Sequence, residues 1–404
     1  MKITVGVFFG GVSTEHEVSI ITGLQACAAI DKRKYDVVPV YISKDGAFYI
    51  GDDIGKIESY SNIPTLLKRS KTVTLLPPCH AVTGNATCAV YELVKKIDMR
   101  KPLCHLNIAL PCVHGNGGED GGLQGFFETL KLPYVGSDVT ASAVGMDKAA
   151  AKSVLRAAGV PVLDWVVFTV SDFLAHKQSI CDKIAEQVGF PAVVKPVNLG
   201  SSIGIGIAGN AVELEKSVET AMFYTDRILA EPAITNLTEL NVAVLGDRHA
   251  AEASECEQPL NSGGLLSFDD KYSGGKDGKG GSNTKSGGMA SLKRKIPADI
   301  TPQLRDEIRS MAVRAFRELG CSGVARIDFL YDNDKNELYF NEINTIPGSL
   351  SFYLWEPLGL KYGELLGKMF TLATKRVRDR SQLCFAFESN ILTGFKGGSK
   401  GGKV

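Results

Sequence analysis

Apolar residues in this chain recur at strand and helix periods by turns, and the order of the runs predicts an α/β fold. Lys2 to Phe9 is an apolar run of strand length that stops at Gly10-Gly11; Ser13 or Thr14 is a candidate cap for the next helix, and Glu15 lies in the turn. Val37 to Ile42 reads as a second strand after that helix, so the chain opens with a βαβ unit. Asn107 to Val113 is a third buried strand, ending at the glycine-rich loop His114 to Gly122. In open α/β sheets ligands bind beyond the C-terminal ends of strands, where both glycine-rich loops fall. Residues 51–90 are mixed and poorly periodic. Thr140 to Ala158 predicts one helix containing Met146-Asp147-Lys148, with Gly159 to Pro161 as its stop. Strands are expected over Val162 to Val167, Phe190 to Pro196, Ile228 to Glu231 and Asn241 to Leu245, and an amphipathic helix over Thr301 to Leu319.

The chemistry concentrates late in the chain, in Gly323 to Phe329 and Tyr339 to Gly348. The pattern predicts a hairpin in which alternation puts Arg326 and Asp328 on one face of the first strand, and Glu342 and Asn344 on one face of the second. Two carboxylates and an amide oxygen form the hard-oxygen set that Mg²⁺ prefers. Arg326 beside them suits phosphate oxygens. Asp328 and Glu342 meet on one face only if paired residue numbers sum to an even value, which requires an odd-numbered loop or a bulge. Two more features point to phosphate. Asn198 to Gly206 is a small-residue loop able to present backbone N–H groups, and Lys195 precedes it at the end of an apolar strand. The loop is not a P-loop, because no G-K-[ST] follows it. Glu231, at a strand end, suits a ribose hydroxyl, an adenine amine or a turn cap.

Composition narrows the function classes. Of 404 residues, 44% are hydrophobic and 22% charged, ordinary for a soluble globular protein of two or three domains. Lys+Arg 45 balance Asp+Glu 45, so no general field favours nucleic acid or an anionic membrane, and phosphate recognition must be local. The nine cysteines lack C-x-x-C spacing and read as reduced residues of a cytoplasmic protein. Met1 to Phe9 has no signal-peptide pattern, and no apolar run is long enough to span a membrane. Ser273 to Met289 is a Gly/Ser/Lys-rich stretch that reads as a flexible lid or a disordered insert, and Gly394 to Val404 repeats that composition as a mobile tail.

The pieces GG-x-S-x-E-x-E-V-S from Gly10, HG-x-GGEDG from His114, G-x-DK from Gly145, VVKP-x-x-x-GSS-x-G from Val193, RID at Arg326 and NEINT-x-PG from Asn341 follow one another in a specific order. In this order they resemble the D-alanine–D-alanine ligases of the ATP-grasp superfamily. The resemblance implies a three-domain ATP-grasp fold, α/β overall and α+β in the ATP-binding part. Residues 1–137 would form a Rossmann-like domain binding the first substrate, 138–233 a central ATP-grasp subdomain, 234–380 a C-terminal domain with a lid at about 267–292, and 381–404 a tail. It implies an ADP-forming ligase that makes D-alanyl-D-alanine through a D-alanyl phosphate for peptidoglycan, with ATP and D-alanine as small-molecule partners and a homodimer as the assembly. Lys148, Lys195, Gly200, Ser201, Ser202 and Lys271 would hold ATP phosphates, and Glu231 and Glu239 its adenosine side. Asp328, Glu342 and Asn344 would hold two Mg²⁺ ions, or Mn²⁺ in their place. Glu15 would bind the first amino acid's ammonium, with His114 near its carboxylate; Ser201 and Tyr272 would bridge the closed lid; Arg326 and the N–H groups near Gly348 would stabilise the transferred phosphoryl group.

The chain departs from the pattern twice. Tyr353, next to Leu354, stands where relatives place a serine for the second substrate's carboxylate, and the lid is short at Phe268 to Tyr272 before the glycine-rich insert. The departures keep open a ligase with another acceptor amino acid, beside a non-catalytic ATP-binding protein. A dehydrogenase is disfavoured, since G-x-G-x-x-G is missing from the first strand–helix turn.

Overall fold

The computed structural model describes residues 2–77, 87–93, 101–260, 294–385 and 389. The first sheet is built from β1 (Ile3–Gly10), β2 (Tyr35–Ile42), β3 (Phe48–Ile50), β4 (Lys71–Leu76), β5 (Cys88–Glu92), β6 (Cys104–Leu106) and β7 (Ile108–Pro111), in the order β6-β5-β4-β3-β2-β1-β7. Among the described strands of this sheet, β2, β1 and β7 are the ones that pair in parallel. The poorly periodic stretch supplies antiparallel strands that extend this parallel core outward from β2. The Rossmann-like expectation therefore holds at the centre, where β1 feeds α1 (His16–Ala29) through the first glycine loop.

A four-stranded antiparallel sheet follows, β10-β9-β11-β8, from β8 (Val166–Thr169), β9 (Ala192–Pro196), β10 (Gly206–Ala208) and β11 (Arg227–Pro232). The third, five-stranded sheet is β14-β13-β12-β15-β16, from β12 (Leu237–Gly246), β13 (Ala251–Pro259), β14 (Arg294–Lys295), β15 (Gly323–Asp332) and β16 (Glu337–Asn344). The amphipathic helix expected before the hairpin runs Pro302–Glu318, with the Thr301 hydroxyl capping it at Leu304 N–H. It packs Ile308, Ala312, Ala315 and Phe316 against the inward residues of the third sheet.

The single helix expected over 140–158 is two, Val139–Met146 and Lys148–Ala157, broken at Asp147 (ψ 102°), whose carboxylate caps the second at Ala150 N–H. The break places Lys148 in the first turn of a new helix. The last helix, Tyr362–Ser381, packs Leu365, Leu366, Met369 and Phe370 into the core of the first sheet, with the Phe370 ring 4.8 Å from Tyr35. One core thus joins the two ends of the chain.

Candidate active site

The hairpin of β15 and β16 meets its register condition through a bulge. Near the turn Asp332 faces Glu337 and Phe329 faces Phe340; the pairing then shifts, so that Asp328 faces Glu342 and Arg326 faces Asn344. Asn341 is the extra residue. The shift brings the carboxylates together and sends the Asn341 amide to Lys195 Nζ at 3.0 Å.

The same alignment runs on across the third sheet. Asp328 is paired with Asn241 on β12, and Asn241 with Glu257 on β13. Glu257, Asn241, Asp328 and Glu342 therefore form one polar row on one face. The adjacent row, Cys256, Val242, Ile327 and Ile343, is turned into the apolar core beneath the amphipathic helix. Alternation thus separates a wet face from a dry one.

Cations converge on this row. Lys148 Nζ lies 3.1 Å from Glu342 and donates to Leu199 O at 2.6 Å. Lys195 Nζ and Lys152 Nζ each reach one oxygen of Glu231 at 2.5 Å, and Lys152 is fully buried. Burial alone would raise the Glu231 pKa, yet the two lysines pull it down to about 2. Glu231 therefore anchors two ammonium groups, and the triad keeps one surplus positive charge. Arg326 grips Asp328 with two parallel bonds of 2.7 Å. Burial works against its charge, but Asp328 holds the guanidinium firmly ionised. Asn344 Nδ2 lies 3.3 Å from Asp328.

The two glycine-rich loops meet above the row. Ser201, at φ +55° in the small-residue loop, donates to Glu15 across the whole first half of the chain. A Cβ on Gly115 would stand 2.9 Å from Glu15 Oε2, and one on Gly200 3.3 Å from it, so bare backbone is needed on both sides of this carboxylate. His114 is buried and bonded at both nitrogens. Nδ1 donates to Ile346 O at 2.7 Å, so Nε2 accepts from the Thr22 hydroxyl at 2.8 Å, while Thr22 Oγ1 accepts from Ser349 N–H at 3.0 Å. Burial pushes the imidazole down to about 4, so it is neutral at physiological pH. Glu119 completes the seam, accepting from Gly115 N–H at 2.8 Å and Ile346 N–H at 3.0 Å. Burial, reinforced by Glu15, raises its carboxyl to about 8 despite those two donors.

Beyond the seam the chain makes an unusual turn. Ser349, Leu350 and Ser351 have φ of +54°, +50° and +48°, a left-handed turn without glycine, costing about 1–2 kcal/mol per residue. It is held by Leu350 N–H donating to Pro347 O and by burial of all three residues. The turn delivers Tyr353 and Leu354 into the interior. The Tyr353 hydroxyl lies 3.5 Å from Glu257, and the Arg294 guanidinium sits 4.2 Å above its ring while pairing with Glu257 at 2.6 Å.

The structure thus gathers Glu15, His114, Lys148, Lys195, Gly200, Ser201, Glu231, Arg326, Asp328, Glu342 and Asn344 around one cleft. Glu239 lies on β12 two residues before Asn241, on the same face of that strand. Lys271 and Tyr272 lie outside the described residues. Lys152, Glu119, Glu257, Arg294 and Asn341 were not anticipated. Lys152 had a signal, four residues after Lys148 on one helix, and so did Glu119, inside the histidine loop. Asn341 opens the NEINT-x-PG piece, and nothing local marked Glu257 or Arg294. A larger cavity of about 340 Å³, lined in part by Leu163, Pro232, Thr235 and Tyr339, contains none of these charged groups.

The chain is similar to known enzymes over most of its length. Residues 4–137 match the model for the D-ala D-ala ligase N-terminus, and 154–371 the model for its C-terminus. The chain belongs to the D-alanine–D-alanine ligase family. It is 37% identical over 388 residues to D-alanine–D-alanine ligase of Acetivibrio thermocellus, covering 94% of this chain and 97% of that one. It is 34% identical over 391 residues to the enzyme of Thermosipho melanesiensis, covering 96% and 98%. Among solved structures it resembles the D-alanine-D-alanine ligase of Coxiella burnetii, with TM-score 0.74, 29% identity and 94% and 96% of the two chains covered. The VanG D-Ala:D-Ser ligase of Enterococcus faecalis superposes with TM-score 0.74 at 27% identity, over 92% and 100%. The fold of this ligase family is the ATP-grasp fold. Among the described residues, no helix is long and apolar enough to cross a membrane.

Proposed function

We propose that this chain uses ATP to join two D-alanines through a D-alanyl phosphate, giving D-alanyl-D-alanine, ADP and phosphate for peptidoglycan precursors. The single observation that carries this is the meeting of three groups in one cleft: the surplus cation of Lys152–Glu231–Lys195, the row of Asp328, Glu342 and Asn344, and the Glu15–Ser201 bridge. In the first step a carboxylate oxygen of D-alanine bonds to the γ-phosphorus as the β,γ-bridging bond breaks. In the second the amine of the other D-alanine bonds to the acyl carbon, phosphate leaves, and the amine proton is lost.

The residues present have distinct work in both steps. Lys148, Lys152 and Lys195 offset the charge of the phosphates, and Gly200 to Ser202 present backbone above them. Glu15 takes the first amino acid's ammonium, while neutral His114 holds the seam beside its carboxylate. Arg326 faces the oxygens on which negative charge grows, near the N–H groups beyond Gly348. Asp328, Glu342 and Asn344 fit a hard cation by donor chemistry and shared face, and Mg²⁺ there would withdraw charge from phosphoryl oxygens. Two ions, Mn²⁺ as a substitute, Glu239 on the adenosine side, and Lys271 with Tyr272 in the lid are further parts of this proposal. So are a cytoplasmic homodimer and the division 1–137, 138–233, 234–380 and 381–404. Each of the three sheets falls within one of those first three units.

The test is phosphate release by the purified protein with ATP, Mg²⁺ and a panel of D- and L-amino acids, with products identified by mass. D-Alanine-dependent release is expected, and Glu342→Gln abolishes it while the folded spectrum is unchanged. Near-normal turnover in that variant would place the metal elsewhere.

A further inference from the structure

The polar row has two ends, and the ligase reading uses only one of them. Glu342 and Asp328 stand at the lysine-rich end. At the other, two strands and roughly 10 Å of sheet from Asp328, stands Glu257. It is 3% exposed, so a carboxylate here needs a partner, and Arg294 supplies one at 2.6 Å. Arg294 is in turn fixed from above by the Tyr353 ring. Tyr353, at the position where the family resemblance implies a serine, thus sits in one cluster with the arginine and the glutamate.

The placement has a functional meaning. The ligase reading places phosphoryl transfer on the Lys148, Lys195 and Glu342 side of Arg326, which leaves the side of Glu257, Arg294 and Tyr353 for the attacking amino acid. Unlike the lysine triad, this cluster is charge-balanced, one guanidinium to one carboxylate. A balanced, buried pair suits a zwitterion and disfavours a polyanion.

We propose that Arg294 and Glu257 together bind the acceptor amino acid as a zwitterion, Arg294 taking its α-carboxylate and Glu257 facing its ammonium. Tyr353 positions the guanidinium by stacking. The proposal rests on the ligase reading and deepens it: carboxylate recognition moves from a serine at the turn to an arginine on β14.

The experiment offers the protein D-alanine and D-alaninamide in equal concentration with ATP and Mg²⁺. The amide has no carboxylate and so reports the acceptor position alone. Mass spectrometry gives the ratio of D-alanyl-D-alanine to D-alanyl-D-alaninamide. Wild type is expected to favour the acid about 10²-fold, as for loss of a charge-assisted hydrogen bond. Arg294→Ala collapses the ratio towards one, and Arg294→Lys keeps part of it. A wild-type ratio near one overturns the proposal, as does an unchanged ratio in a folded, active Arg294→Ala. A merely structural role would lower both products together and leave the ratio in place. If Arg294→Ala does not fold, Arg294→Gln carries the same comparison. Failure of the ligase reading looks different, since wild type would then form neither product.

Discussion

The two ends of the polar row are both buried and charged, yet they are built on opposite balances. At the lysine end one carboxylate, Glu231, holds two ammonium groups, and its pKa falls to about 2. At the arginine end one carboxylate meets one guanidinium, and burial raises Glu257 above the usual carboxylate range despite Arg294. The surplus at the first end favours an incoming anion, the more so because burial already works against the Lys152 charge. The second end is already neutral and can exchange partners with a ligand that carries both charges. A count of charged residues, level for the whole chain, hides this local asymmetry.

The largest break in the comparison comes from removing each carboxylate. Glu231→Ala leaves two buried cations without their partner, and Glu257→Ala leaves one. Breaking a buried pair costs about 3–5 kcal/mol, so urea unfolding should show Glu257→Ala within that range and Glu231→Ala beyond it. Equal losses would mean that the two ends are not differently balanced.

The seam between them should respond to acid. His114 has a folded pKa of about 4, below its usual value, so its contribution is fully present above about pH 6.5 and is lost as pH falls through 6.5 toward 4. The loss amounts to about 3 kcal/mol at most. In His114→Gln the unfolding free energy should fall less steeply over that window; parallel curves would show that the imidazole is not held neutral by the fold. The smallest effect is expected at the left-handed turn. Ser351→Gly relieves a φ of +48° and should leave stability unchanged or raise it by up to ~1 kcal/mol in the same assay, whereas a marked loss would mean the Ser351 hydroxyl matters more than the backbone strain.

The lysine end was largely legible from residue order because its parts sit in short, distinctive runs: Lys195 before a glycine-serine loop, Glu342 and Asn344 in one strand. Lys152 was legible in principle from its spacing to Lys148. The arginine end was not. Glu257 lies in the strand Ala251–Pro259, where acidic and apolar residues alternate as they would at any half-exposed edge, and Arg294 is 37 positions later. His114 was visible as a loop histidine, but its two bonds reach Thr22 and Ile346, 92 and 232 positions away. The antiparallel extension of the first sheet was missed for a related reason: Lys71–Leu76 is half-buried and short, so its pattern carries little information.

Residue order by itself determined the α/β class, the ligase family, the hairpin with its hard-oxygen donors, and the requirement that a bulge or an odd loop align them. These follow from local spacing, which alternation and helical period convert directly into faces. Tertiary structure alone decided that the bulge falls at Asn341, that Glu231 serves two lysines, that His114 is neutral, and that Glu257 shares a row with Asp328. Each of those depends on burial and on pairing between strands distant in the chain, and both exist only once the sheets have formed.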